Sequence, residues 1–324
     1  MRSCSTRRVR ACRSSATNTR FRSRGLAVSW AQLTVGDARH VPSATVPVTI
    51  RRTDHELNLS TRTPHGREAP KAALLIAHPG HELRVHGWLE LTRPLTFVLT
   101  KGDGAAGHSR LASTTKVLTA AGACSGAIYG RFDDRRIYTA LLDRDETLFL
   151  GLLDELVTSL VEFDVNYLAV DAEEGFNPSH DVCRYLAEAG VRMASRLSGR
   201  VVSGFDFPLV GPPDDCPEEL RDDAMRLRLD DQALARKLAA AHNYPELQGE
   251  VASALERNGA EAFRVECLRP LASSGRRAAG RPFYEEYGKR QVEAGRYAEA
   301  IRYDRHVWPI RDSLWRRAGL DGPS

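Results

Sequence analysis

Residues 71–82 read KAALLIAHPGHE, and the reading of this stretch decides the fold. Ala72–Ala77 is a short, unbroken apolar run bounded by Lys71 and His78. A strand with one face in water would alternate, and a helix would need more length. An unbroken run is the pattern of a strand buried on both faces of a parallel sheet. It ends in His-Pro-Gly-His, where Pro79 and Gly80 force a turn.

Working outward, the spacing predicts a helical stretch over Glu82–Leu91 and a second strand over Leu95–Thr100. KGDGAAG is a loop, and SRLASTTKVLTAAGA reads as a helix ending near Gly122. Ser125–Gly130 is a third strand and Asp134–Asp143 a short helix. Glu146–Phe163 places Leu148, Leu152, Leu156 and Leu160 on one helical face. Val165–Asp171 is a fourth strand, a helix starts at Pro178, and a fifth strand lies around Val201–Phe207. This alternation predicts an α/β fold, a Rossmann-like, mostly parallel sheet with helices on both faces. A helical C-terminal part follows, in which FRVECLRPL is a candidate strand. Three regions result: a poorly structured basic segment 1–70, a metal-binding catalytic domain 71–210, and a mainly helical part 211–324 packed on it, with Pro/Asp-rich Gly211–Cys216 at the boundary.

In such sheets ligands bind beyond the carboxyl ends of the strands. That rule selects three loops: His78–Glu82, Lys101–His108 and Asp171–Asp181. The first carries His78 and His81 and the third carries His180, at the ends of two different strands. Gly80 lets the backbone turn so that both imidazoles of the first loop face one point. Three neutral imidazoles with an open fourth position make a catalytic zinc site, where bound water ionises near pH 7. His78, His81 and His180 are therefore the expected ligands of Zn2+ or another divalent metal.

These motifs resemble those of the PIG-L/LmbE N-acetylglucosaminyl deacetylases. LLIAHPGHE, residues 74–82, is similar to that family's strand–AHP–acid run, TKGDGAAG to its Thr-x-Gly-x-x-Gly loop, and Asn177-Pro178-Ser179-His180 to its His-Pro-Asp-His loop. The likeness runs from about Lys71 to Phe207. It implies metal ligation at His78, His81 and His180 and removal of an N-acetyl group from an amino-sugar. The chain departs from the family in having AHPGHE where AHPDDE is usual. His81 stands where the family has a ligating Asp, Gly80 where it has its general base, and Asn177 where it has an oxyanion-stabilising His. Asn177 still donates a hydrogen bond. Asp181 and Glu82, each next to a ligand, are the first candidates for the base, with a helix-capping or ligand-orienting role as the alternative for each. Asp103, Asp171, Glu173 and Glu174 lie in the same loops.

Two other signatures compete. HELRVH, His81–His86, has a spacing of five, which separates the imidazoles by roughly 140° on a helix and excludes the HExxH protease pattern. Gly102-x-Gly104-x-x-Gly107 matches a dinucleotide fingerprint but follows the second strand, and a tight loop that clears room for substrate is the simpler reading. The functions left are a zinc-dependent amide hydrolase, a metal- or sugar-binding protein without turnover, and a nucleotide-binding protein acting through Gly102–Gly107. The partner implied by the first two is a small, carbohydrate-containing molecule. Aromatics in RPFYEEYGKR and RYDRHVWPI recur at helical spacing, so packing is their expected role, with a sugar platform as the sharper alternative.

Charge and composition narrow the partners. The net charge is +4, but residues 1–24 carry eight arginines and no acid, and the other 300 residues are net −4. The body gives no electrostatic reason to expect nucleic acid. The tail lacks the apolar centre of a secretory signal. It is read as disordered or as a start-site artefact, since no second Met occurs before Met193, with a transit peptide or RNA-binding arm as alternatives. A strand is expected at Val46–Arg51. No stretch approaches the ~20 apolar residues of a membrane span. The six cysteines form no CxxC pair, which fits a reducing cytoplasm better than a disulfide framework.

Overall fold

The computed structural model describes residues 71–104, 107–271 and 280–320. The expectations for residues 1–70, including the strand at Val46–Arg51, lie outside them. In chain order the elements are β1 (Ala72–Ile76), α1 (His86–Thr92), β2 (Leu95–Thr100), α2 (Leu111–Ala121), β3 (Cys124–Phe132), α3 (Asp134–Leu142), α4 (Glu146–Glu162), β4 (Tyr167–Asp171), α5 (Pro178–Ser198) and β5 (Ser203–Phe207). Then come β6 (Met225–Arg228), α6 (Asp231–His242), α7 (Gln248–Asn258), β7 (Val265–Pro270), α8 (Phe283–Glu293) and α9 (Trp308–Ala318). A 3-10 turn, His81–Val85, separates the first loop from α1. The helical stretch expected from Glu82 is thus two pieces.

The sheet has the order β3-β2-β1-β4-β5-β7-β6. Strands β1 to β5 are mutually parallel, and β7 joins β5 antiparallel with β6 antiparallel beyond it. The α/β fold expected from the alternation is the fold observed. The C-terminal region is largely helical, and it also extends the sheet by two strands. β7 falls within the candidate stretch FRVECLRPL.

β1 is buried throughout because each of its faces meets a different helical layer. Ala73, Leu75 and Ala77 pack with α3, α4, α5 and α9 through residues such as Ile137, Leu156, Tyr185 and Ile310. Ala72, Leu74 and Ile76 pack with α1 and α2 through Trp88, Leu89, Val117 and Leu118. Of the four leucines read onto one face of α4, Leu152, Leu156 and Leu160 are buried and Leu148 packs against them at the edge. Among the described residues no helix is long and apolar enough to cross a membrane.

Strand order reverses between β1 and β4, which are neighbours. The crevice at such a reversal is where doubly wound sheets bind ligands. The loops after these two strands carry His78, His81 and His180.

Candidate functional site

His78 follows β1 directly, and His81 opens the 3-10 turn three residues later. Between them Gly80 has φ +107°, a conformation that favours glycine. A Cβ at Gly80 would overlap Leu247 Cδ1 and sit 3.7 Å from the Tyr244 hydroxyl. A carboxylate at this position, where the family resemblance puts one, would need the Leu247 side chain to move and would hold a strained backbone angle. Leu247 fills the space from the segment between α6 and α7.

His180 reaches the site from the first turn of α5. Asn177 caps that helix, its side-chain oxygen accepting from Ser179 N at 2.9 Å, and Pro178 takes the first helical position. The amide of Asn177 then lies on the other side, with Nδ2 3.4 Å from His78 Nε2.

The three imidazoles meet edge to face. Ring centroids are 5.4 Å apart for His78 and His81, 5.2 Å for His78 and His180, and 4.6 Å for His81 and His180. Two rings are held from behind. His81 Nδ1 lies 2.9 Å from Asp171 Oδ2. His78 Nδ1 lies 2.9 Å from Thr100 Oγ1 and 3.2 Å from Asp134 Oδ1. Thr100 gives its own proton to Ala77 O, so it accepts from His78. Both Nδ1 atoms therefore carry the hydrogen, and both Nε2 atoms carry the lone pair. His180 differs, since neither of its buried ring nitrogens has a hydrogen-bond partner.

Burial, and next the mutual repulsion of the rings, holds His180 and His81 well below the usual histidine range. Arg110 and Arg84 act on His81 in the same direction. Both rings are accordingly neutral near pH 7. Burial pushes Asp171 up to about 6, against the pull of His180 and the Ala77 N–H. Burial also pushes Asp134 up, but the hydrogen bond and charge from His78, with the Gly104 N–H, outweigh it and hold that carboxyl well below the usual carboxylate range.

The donor set of three neutral imidazoles, two of them backed by acceptors and one with both nitrogens buried and unpaired, fits a divalent metal chemically. As the rings stand, however, no group of three or more His, Cys, Asp or Glu side chains among the described residues is arranged to hold a metal ion. The rings are stacked edge to face and would have to turn to aim three nitrogens at one point.

Of the carboxylates singled out in the sequence, Glu82 is fully buried and turned away from the rings. Its Oε2 accepts from Gly80 N at 2.7 Å and its Oε1 from Thr114 Oγ1 at 2.8 Å. Burial pushes it up to about 7. Asp181 folds back on its own loop, where Oδ1 accepts from Glu174 N and Gly175 N. Burial, then the charge of Glu173, raises it well above the usual range. Glu173 accepts from Tyr185, Glu174 from Leu209 N and Val210 N, and Asp103 from Asp134 N. The carboxylates that touch imidazoles are Asp171 and Asp134. Asp134 was read in the sequence only as the start of a helix. The one signal was its position just after the third strand, the edge neighbour of β2.

No family model matches the sequence, and no similar curated protein was found. Among solved structures the chain is similar to a triple mutant of a deacetylase involved in the teicoplanin biosynthetic pathway, with 13% identity and TM-score 0.42 over 62% of this chain and 97% of that one. It is also similar to the pseudoaglycone deacetylase of an antimicrobial reagent, at 17% identity and TM-score 0.40, covering 62% and 96%. A third is the zinc-inhibited form of teicoplanin deacetylase, at 14% identity and TM-score 0.40, covering 62% and 97%. At these TM-scores the likeness says nothing about reaction or substrate.

Proposed function

We propose that the protein is a metal-dependent amide hydrolase, in which His78, His81 and His180 hold zinc or another divalent metal and an N-acetyl group is removed from an amino-sugar or sugar-bearing small molecule. The observation that carries the reading is the meeting of three imidazoles from the β1 and β4 loops, with both nitrogens of His180 buried and unpaired. A buried polar atom without a partner costs about 1–3 kcal/mol, and a ligand for those nitrogens would offset that cost. Bound there, the metal supplies Lewis acidity toward an acyl oxygen and lets water ionise near neutral pH.

The chain's own groups have separate parts. Asp171 and Thr100, with Asp134, fix the Nδ1–H tautomers and leave Nε2 of His81 and His78 basic. Asn177 donates through Nδ2 on the side facing His78, where a developing oxyanion needs a donor. Glu82 and Asp181 act as holders of the 3-10 turn and of the third loop, since their oxygens are committed to those hydrogen bonds.

A second reading, metal or sugar binding without turnover, is favoured by Gly80, where Leu247 fills the space a base would need. One experiment addresses both. The purified protein should contain about one divalent metal per chain, lose most of it in His180→Ala, and release acetate from N-acetylated sugars. Equal metal content in parent and variant would remove the ligand assignment. Metal without acetate release would leave the binding reading in place of the hydrolase.

A further inference from the structure

The β5–β6 connection carries Cys216 on a surface loop. Its neighbours Asp214, Asp215, Pro217 and Glu218 are exposed, while the Cys216 side chain turns inward and is 5% exposed. Cys267, on β7, is 1% exposed, and both are free thiols. The two side chains lie within hydrogen-bonding reach of each other. A separate contact brings the same loop up to the β6–β7 pair. Arg226 is the register partner of Cys267 across β6 and β7, and its guanidinium lies 3.6 Å from Asp214 Oδ2, two residues before Cys216. Arg221 also donates to Cys216 O. The loop is thus laid across β7 with its thiol over that of Cys267.

We infer that Cys216 and Cys267 form a reversible disulfide, a redox-modification site that fastens the β5–β6 loop to the sheet. The oxidant is a peroxide. On brief opening of the loop, the Cys216 thiol gives its proton to solvent and its thiolate attacks the peroxide. The O–O bond breaks, and a sulfenic acid forms while the leaving oxygen takes a proton back from solvent as water or an alcohol. The Cys267 thiol then attacks the sulfenic sulfur, the S–O bond breaks, and the thiol proton leaves with the hydroxyl as water. In total two thiols are oxidised by two electrons and one peroxide is reduced. While the loop is closed the reaction is held back, because burial and the neighbouring Cys216 push the Cys267 thiol up to about 12.

The other end of the same loop is tied to the candidate site. Leu209 N and Val210 N donate to Glu174, and Arg84 donates to Pro208 O and Gly211 O. Oxidation would add a covalent anchor to a segment held by these bonds, the Asp214–Arg226 contact and the packing of Leu209. The inference stands apart from the metal reading, since it uses neither the histidines nor turnover.

The test uses the full chain, reduced and then treated with hydrogen peroxide. Free thiols are alkylated, and the protein is digested without reduction and mapped by mass spectrometry. The expected result is one linked peptide pair carrying Cys216 and Cys267 and a rise in the thermal midpoint on the order of 5 °C that dithiothreitol reverses. Cys216→Ser and Cys267→Ser should each abolish both effects, and Cys124→Ser should leave them unchanged. Recovery of Cys216 and Cys267 alkylated after treatment, or linked to other cysteines, would overturn the inference. So would a midpoint shift that survives in either of the two serine variants.

Discussion

Asp171 Oδ2 lies 2.9 Å from His81 Nδ1 while accepting from Ala77 N at 2.7 Å, so one buried oxygen fixes both the end of β1 and a ring four residues beyond Ala77. The second oxygen, Oδ1, is buried without a partner. Asp171 thereby couples strand geometry to the lone pair on His81 Nε2.

Asp171→Asn keeps the shape and removes the charge. Its amide oxygen can take the place of Oδ2 with the NH2 at the unpartnered position, so both bonds can remain while the charge behind His81 is lost, and zinc affinity should fall roughly 10–100-fold. Competition with a chromophoric chelator measures this. An unchanged dissociation constant would show that the Asp171–His81 contact does not orient a ligand.

Asn177 does two things that substitution separates. Asn177→Ala removes the cap and should cost about 1 kcal/mol of stability. Asn177→Asp keeps a capping oxygen and loses the amide donor facing His78. Its urea midpoint should stay close to that of the parent while kcat for acetate release falls by ~10²-fold. A rise in KM alone would assign Asn177 to substrate binding.

Gly80→Asp restores the family's carboxylate on paper but meets two obstacles. A non-glycine residue at φ +107° costs about 1–3 kcal/mol, and overlap with Leu247 adds about 1–3 kcal/mol. The single variant should unfold at clearly lower urea than the parent. Adding Leu247→Ala should recover the overlap part relative to Gly80→Asp alone and is the background in which gained turnover is sought. If the double variant holds metal and N-acetylsugars remain intact, a missing base is not what limits activity.

Glu174 gives a pH dependence of stability. Burial pushes it up to about 7 in the fold, against about 4.3 in an unfolded chain. The folded state then holds this proton more tightly, so the contribution is fully present below about pH 4 and is lost as pH rises to about 7. Relative to Glu174→Gln, the parent should lose up to about 4 kcal/mol across that window. Urea midpoints of the two proteins at several pH values measure the difference. A constant difference would mean that Glu174 ionises normally in its bonds to Leu209 N and Val210 N. His81 and His180, both lowered, act in the opposite sense below about pH 6.5, which is why the comparison between variants is needed.

Much of the sheet was legible because β1, β2 and β4 are buried on both faces and so appear as apolar runs. β2 is Leu95–Thr100 as read, and the expected end of α2 near Gly122 agrees with a left-handed glycine cap there. β6 left no such mark. Met-Arg-Leu-Arg at the sheet edge alternates half-buried with exposed, and four residues alternating apolar with basic do not distinguish a strand from a loop. The histidines were legible from the strand ends they follow. What surrounds them was not, because it depends on neighbours in space. Asp134 comes beside His78 only through the β3–β2 pairing, and Leu247 reaches Gly80 from 167 positions along the chain. Glu82 and Asp181 stand next to histidines in sequence, yet Thr114 Oγ1 and backbone N–H groups satisfy them. Adjacency along the chain therefore said little about which oxygen faces a ring.

The placement of the rings on β1 and β4 also sets an order of events during synthesis. His78 and Asn177, in contact across the site, are 99 residues apart in the chain. At ~5–20 residues per second a ribosome needs roughly 5–20 seconds to travel between them. Through that interval two imidazoles exist without the third, and α2, α3 and α4 are made before β4 can close the pair with β1. A ligand that needs all three rings cannot be captured by any shorter nascent chain, so its capture would time the completion of the central sheet.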